Sequence, residues 1–292
     1  MFQEASHGEG GFDIQEMILH HLADSHELEL PFGKVIHLPQ FPPIHLGPLT
    51  IDLSITKHVV WMAIAAFLVA LVLILAARDA KREHAAGASR GPKGAANVVE
   101  AFILFLRDEV ALKNVGPHGE KFVPYVVAAF FFILFCNLLG LLPWGASPTG
   151  NISVTAAMAI LTFIVVEVAG MRELGFKGYA KTIFYAPEGM SLAMKIPMLI
   201  IMTPVEFLGK LTKPFALAIR LYANMTAGHA VVLALTGLLV MAAMANTLFV
   251  APAPVIMAVG ILILEIFVAF LQAYIFAMLS AVFIGLIRSS HH

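Results

Sequence analysis

The chain has 292 residues, of which 60% are hydrophobic and only 13% charged, with a mean hydropathy of +0.88. A soluble chain carries about 25% charged residues, and half that share cannot coat a water-facing surface, so a soluble enzyme is excluded. The net charge of −1 and pI near 6.9 leave no basic face for nucleic acid, and the single cysteine, Cys136, excludes an internal disulfide or cysteine-based metal site.

Residues 1–57 read as an acidic, His-rich extension outside the membrane. They hold eight acids against Lys34 and Lys57, and they contain His7, His20, His21, His26, His37 and His45, with His58 just beyond. No HExxH or comparable spacing occurs there, so an exposed extension is favoured over a metal centre. No basic region precedes an apolar core, and the first arginine is Arg78, which fits neither a secretory signal nor an imported organelle precursor.

Residues 58–292 read as an all-α membrane domain. A crossing needs about 20 predominantly apolar residues. Val59–Ala77 and Phe122–Trp144 carry no charge, with Pro143 as a helix stop, and Ile152–Met171 is interrupted only by Glu167. Two longer stretches follow, from about Lys195 to Ala245 and from about Val255 to Ile287. As helices they would reach roughly 75 and 50 Å, against about 30 Å of hydrocarbon. Either both are strongly tilted, or the first is broken at Pro197, Pro204 or Pro214.

Between the first two spans, Gly/Ala-rich residues 85–96 read as a linker. The next segment, 97–110, places Val98, Val99, Phe102, Phe105 and Leu106 on one side, as an amphipathic helix on the inner membrane surface or a packed connector would. Of the 18 Lys and Arg residues, 13 fall in segments 78–121 and 172–195 and in the tail at Arg288. The positive-inside rule then gives five crossings with the N-terminus outside and the C-terminus inside.

An ionisable group at membrane depth costs about 2.5–3.5 kcal/mol on insertion scales and marks function by default. The candidates are Glu167, Glu206, Lys210, Lys213, Arg220, His229 and Glu265. Lys210 and Lys213 can snorkel from near the inner mouth, and Glu167 falls within one turn of the inner end of its span, where water could reach it. Arg220 sits between charge-free flanks with no acid within four residues, so its partner must come from another helix or another subunit. Asn224 shares its face at i+4, and His229, nine residues on, lies opposite. On the last helix Glu265 and Gln272 share a face. His229 and Glu265 fall toward the outer side and Glu206 toward the inner, which traces two partial polar paths with Arg220 between them. Ala216, Ala218, Ala223, Ala227 and Gly228 beside the arginine would let another helix approach closely.

The run KPFALAIRLYANMTAGH at 213–229 strongly resembles the K-P-x-x-L-x-x-R-L-x-x-N-M-x-A-G signature of subunit a of the F-type ATP synthases. NLLGLLP at 137–143, PTGNISVT at 148–155 and EIFVAFLQAYIFAML at 265–279 are similar to further family segments, so the resemblance covers roughly residues 55–288. Some family members carry an acid on the fifth helix and an imidazole on the sixth. Here the order is His229 and Glu265, a swap expected if the two face each other across one water-filled path.

The resemblance implies a stator subunit in the bacterial inner membrane that passes protons through two offset half-channels to and from the carboxylates of a rotating c-ring. Arg220 would be the essential arginine that separates them. Asn224, His229, Glu265 and Gln272 would line the outer path, and Glu206 would serve the inner one. Expected partners are the c-ring, the peripheral-stalk b subunits, the soluble catalytic head indirectly, and the bilayer. No cofactor or metal is expected, and ATP chemistry would belong to the head, since the chain has no GxxxxGK[ST]. Two rivals are a secondary transporter, which lacks an evident inverted repeat, and an intramembrane enzyme, which lacks a catalytic constellation. Dependence on a partner ring separates the three, because only subunit a is inert when purified alone.

Overall fold

A computed structural model describes residues 14–15, 18, 23–30, 34–42, 44–46, 49–51, 54–85, 94–116, 119–142, 144–184, 192–244, 249 and 252–289. His7, His20, His21, Pro143 and most of the 85–96 linker lie outside the described residues. Among the described residues, five helices are long and apolar enough to cross a membrane: α1 (Lys57–Ala85), α3 (Val123–Gly140), α4 (Ile152–Ile183), α5 (Leu192–Met244) and α6 (Pro252–Ser289). The helix α2 (Ala95–Phe105) lies between the first two.

Two features ahead of α1 escape the apolar pattern. Strands β1 (Glu27–Leu30) and β2 (Lys34–His37) pair antiparallel with Glu27 opposite His37, and β3 (Ile44–Leu46) pairs with β4 (Leu49–Ile51). The extension is also tied to the start of α1. The Lys57 amide, an orphan donor at a helix start, donates to the Ser25 carbonyl at 2.9 Å, and His26 Nδ1 lies 3.2 Å from the Ile55 carbonyl.

The longest helix runs unbroken through Pro197, Pro204 and Pro214. Each proline removes one backbone donor, which leaves the carbonyls of Ala193, Ile200 and Lys210 without their usual partner. At 1.5 Å per residue α5 extends about 80 Å, so only steep inclination keeps its apolar portion, Ile196–Met244, at membrane depth. Of the two readings of this stretch, the structure takes the continuous one. A real break occurs elsewhere: Gly175 in α4 has φ 67° and ψ 166°, left-handed geometry that a side chain resists.

The chain divides into two compact units, and α1, α3, α5 and α6 contribute to both. The first comprises residues 1–70, 132–151 and 221–272. Its apolar core includes Trp61 and Ala65 of α1, Ile133 and Cys136 of α3, and Leu221 and Met225 of α5. Inside it the buried Asn137 accepts a hydrogen bond from Thr149 Oγ1 at 2.6 Å and donates to the Ala269 carbonyl at 3.4 Å, while Ser147 Oγ lies 2.8 Å from Thr149 Oγ1.

The second unit comprises 71–131, 152–220 and 273–292. After Phe105 the chain loosens into a π-helical segment, Leu106–Leu112, whose wider turn re-aims the residues that follow. Leu106 and Val110 are buried, whereas Val98, Leu104 and Phe105 are exposed, so the apolar residues expected on one side do not share one environment. Phe102 stacks on Phe130 and Phe105 on Tyr274, so the 97–110 segment has both a packed side and a free apolar side. Tyr125 donates to Thr162 at 2.7 Å, and Arg288 binds Glu173 at 3.0 Å and the Val115 carbonyl at 3.2 Å.

Candidate functional site

The first unit contains a partly open cavity of about 100 Å³ whose lining includes His58, Ser147, Thr226, His229 and Glu265. That is room for several water molecules, which the few polar groups of a mostly apolar lining can hold. His229 Nδ1 stands 3.8 Å from Glu265 Oε1, too far for a direct hydrogen bond but within ion-pair reach once the imidazole is protonated. Both side chains are largely buried, and His229 Nε2 is buried with no hydrogen-bond partner among the described residues. Gly228 makes the approach possible, because the Glu265 carboxylate occupies the space that a Cβ on Gly228 would fill. An acid and a base thus share one small chamber of mostly apolar lining, where either can hold a proton for the other.

Gln272 is also in this unit, on α6 two turns beyond Glu265, and is 4% exposed. Asn224 behaves differently. It faces outward on α5, in line with Ala216, Arg220, Ala223 and Ala227, all exposed, while Pro214, Leu217, Ala218, Leu221 and Met225 form the buried stripe of the same helix. The sequence spacing therefore separates Arg220 and Asn224 from the helix's packed face. The Arg220 guanidinium has no carboxylate partner among the described residues, in keeping with the expectation that its counter-charge lies off its own helix.

Glu206 is exposed too, fourteen residues before Arg220. Fourteen residues is about 21 Å along the helix and close to four full turns, so the two share a face without meeting. Lys213 falls halfway between them on that face, also exposed.

Lys210 and Glu167 are placed otherwise than the apolar spans suggest. Glu167 is not near a helix end: α4 continues to Ile183, and the residue is 9% exposed. Lys210 does not reach away toward water. Its Nζ lies 3.8 Å from Glu167 Oε2, donates to Thr182 Oγ1 at 3.1 Å and sits 4.4 Å from the Tyr179 ring centre. The hydropathy pattern ends this span too early because Arg172, Glu173, Lys177 and Lys181 are charged while the helix itself goes on.

Sequence reasoning misses four residues of the first unit that the fold brings to or beside the cavity: His58, Asn137, Ser147 and Thr149. Asn137 and Thr149 lie inside the quoted segments 137–143 and 148–155, so a signal existed for them, but none for their mutual hydrogen bond. His58 stands at the border of the extension and the first span and carries no motif.

With this geometry in hand, comparison with known proteins is specific. The sequence model of the family described as ATP synthase A chain matches residues 59–285. The chain is 44% identical over 269 residues to ATP synthase subunit a of Chloroherpeton thalassium, which covers 92% of this chain and 75% of that protein. It is 43% identical over 272 residues to ATP synthase subunit a 2 of Chlorobaculum tepidum, covering 93% and 72%. With subunit a of an Anaeromyxobacter species the identity is 42% over 315 residues, covering 99% and 73%.

Proposed function

Because the chain belongs to the ATP synthase A chain family, we propose that it is the stator through which protons reach and leave the carboxylates of a rotating c-ring. The observation that carries this reading is Arg220: a fixed positive charge on the exposed, alanine-lined face of a long apolar helix. Such a charge is untenable against lipid. It needs an anionic partner supplied by another chain, and the small residues around it admit a close-packed helix.

Protons enter from the outer side through the chamber of His229 and Glu265 and pass by Gln272 and Asn224 to a ring carboxylate. Neutralised, that group can face lipid as the ring turns. When it returns to Arg220 the guanidinium favours its ionised form, and the proton leaves inward past Glu206. Arginine is not deprotonated in proteins, so Arg220 cannot relay the proton itself and separates the two half-channels. A lysine, whose pKa shifts readily on burial, would be a weaker barrier. Each charge crossing gains about 2.3 kcal/mol per 100 mV, so several protons drive each ATP made in the soluble head.

In this arrangement the N-terminus is outside, the C-terminus is inside a bacterial inner membrane, and the b subunits hold the chain against the head. The chain contributes the path and the barrier, and no catalytic site of its own.

The test is a paired substitution in the assembled complex in vesicles. Glu265→Gln is expected to slow ATP-driven proton pumping by about tenfold or more, the scale of a lost proton-transfer group. Glu167→Gln, which loosens the buried Lys210 cluster but lies off the proposed outer path, is expected to change the rate per assembled complex by less than about twofold, since it removes no proton-transfer group. Equal effects would overturn the path.

A further inference from the structure

The extension ahead of α1 is joined to the cavity by one contact. Asp24 Oδ1 lies 2.7 Å from Nδ1 of His58, and Asp24 Oδ2 accepts from Asn151 Nδ2 at 3.1 Å. His58 is 5% exposed although it is the second residue of its helix, and it lines the same cavity as His229 and Glu265. Three separate stretches of the first unit, around Asp24, His58 and Asn151, meet at this point.

Building on the proton path proposed above, we propose that Asp24 and His58 form its outermost proton-handling station, with the N-terminal segment as a wall of the entry. A carboxylate that accepts from Nδ1–H fixes the imidazole's orientation and tautomer and leaves Nε2 as the nitrogen that takes and gives the proton. The proton binds at His58 from the outer solution, passes through cavity water to His229 or Glu265, and returns His58 to its neutral form. Asp24 stays ionised throughout, so charge and protons balance.

The charge on Asp24 itself has a physical account. Partial burial works against its ionisation, but the hydrogen bond and charge of His58, with help from Thr56, outweigh that and hold the carboxyl below its usual range. The titratable and charged groups that face His58 are Asp24 from the extension, Lys57 beside it on α1, and His229 from α5. Glu265 lies on the same cavity. The docking of the segment does not rest on the dyad alone, since the Lys57–Ser25, His26–Ile55 and Phe41–Ser54 bonds hold it as well.

The experiment is acid–base-driven ATP synthesis by the whole complex in vesicles, with the pH on the N-terminal side varied from about 5 to 8, the range in which histidine changes charge. His58→Ala is expected to lower the rate about tenfold at the upper end of that range and much less at the lower end, where protons are abundant. Asp24→Asn keeps an acceptor for His58 but removes the charge, and is expected to move the profile to lower pH. Asp24→Glu is expected to restore it in part. An unchanged profile, or a fall of equal size at every pH, in His58→Ala would overturn the proposal, the second because it marks a merely structural wall. Glu265→Gln is run alongside. If it synthesises ATP normally, the path itself is wrong, whereas a slow Glu265→Gln beside a normal His58→Ala removes only the outer station.

Discussion

His58, His229 and Glu265 line one cavity, with Asp24 bonded behind His58, although the four come from four separate stretches of chain. His229 and Glu265 were recognisable as a pair from the exchanged order of acid and imidazole, since a swap of that kind makes sense only across a short gap. Asp24 was not legible, because nothing local distinguishes it from the other seven acids of the extension. Its pairing has a consequence for pH. A carboxyl whose folded value lies below its ordinary one stabilises the docked segment fully above about pH 4, and that contribution is lost as pH falls through the folded value. The Lys57 amide, which depends on docking, is therefore expected to exchange faster below about pH 4 in the wild type. In Asp24→Asn that extra acid sensitivity should vanish, and hydrogen exchange of the intact complex measures it.

The helices were legible to within a few residues where the apolar run and the helix end together, as in α6. They were not where backbone geometry changes inside a run or charge enters a helix that continues. Thus α1 runs on through charged residues to Ala85, beyond the Ala77 at which its apolar run ends. The π-helical turn at Leu106–Leu112 has no proline or glycine to announce it. The span of α4 reads short because its last turns are charged. Proline invited a break in α5 that the helix does not make. The connection from α3 to α4 depends on buried polar bonding rather than on apolar pattern. Asn137→Ala would leave the buried Thr149 hydroxyl without its acceptor. The expected cost is about 1–3 kcal/mol, read as a lower midpoint in a thermal melt of the detergent-purified complex. Asn137→Asp, which keeps an acceptor for Thr149, is expected to lose less.

Across the whole molecule, composition alone established the membrane class, and the five crossings followed from hydropathy and helix length. The proposed external partner rests on a single residue, because an arginine flanked by apolar residues must find its counter-charge somewhere. What the chain could not reveal alone is the cavity, which exists only once α1, the α3–α4 loop, α5 and α6 meet. The account rests on Arg220 as a barrier facing a partner carboxylate. ATP-driven proton pumping by Arg220→Ala in the assembled complex, with ring and head shown to copurify, tests this most directly. The expected result is pumping lost by at least about a hundredfold, consistent with removal of a preorganised charge, while assembly is intact. Pumping at the wild-type rate by the assembled variant would contradict the account.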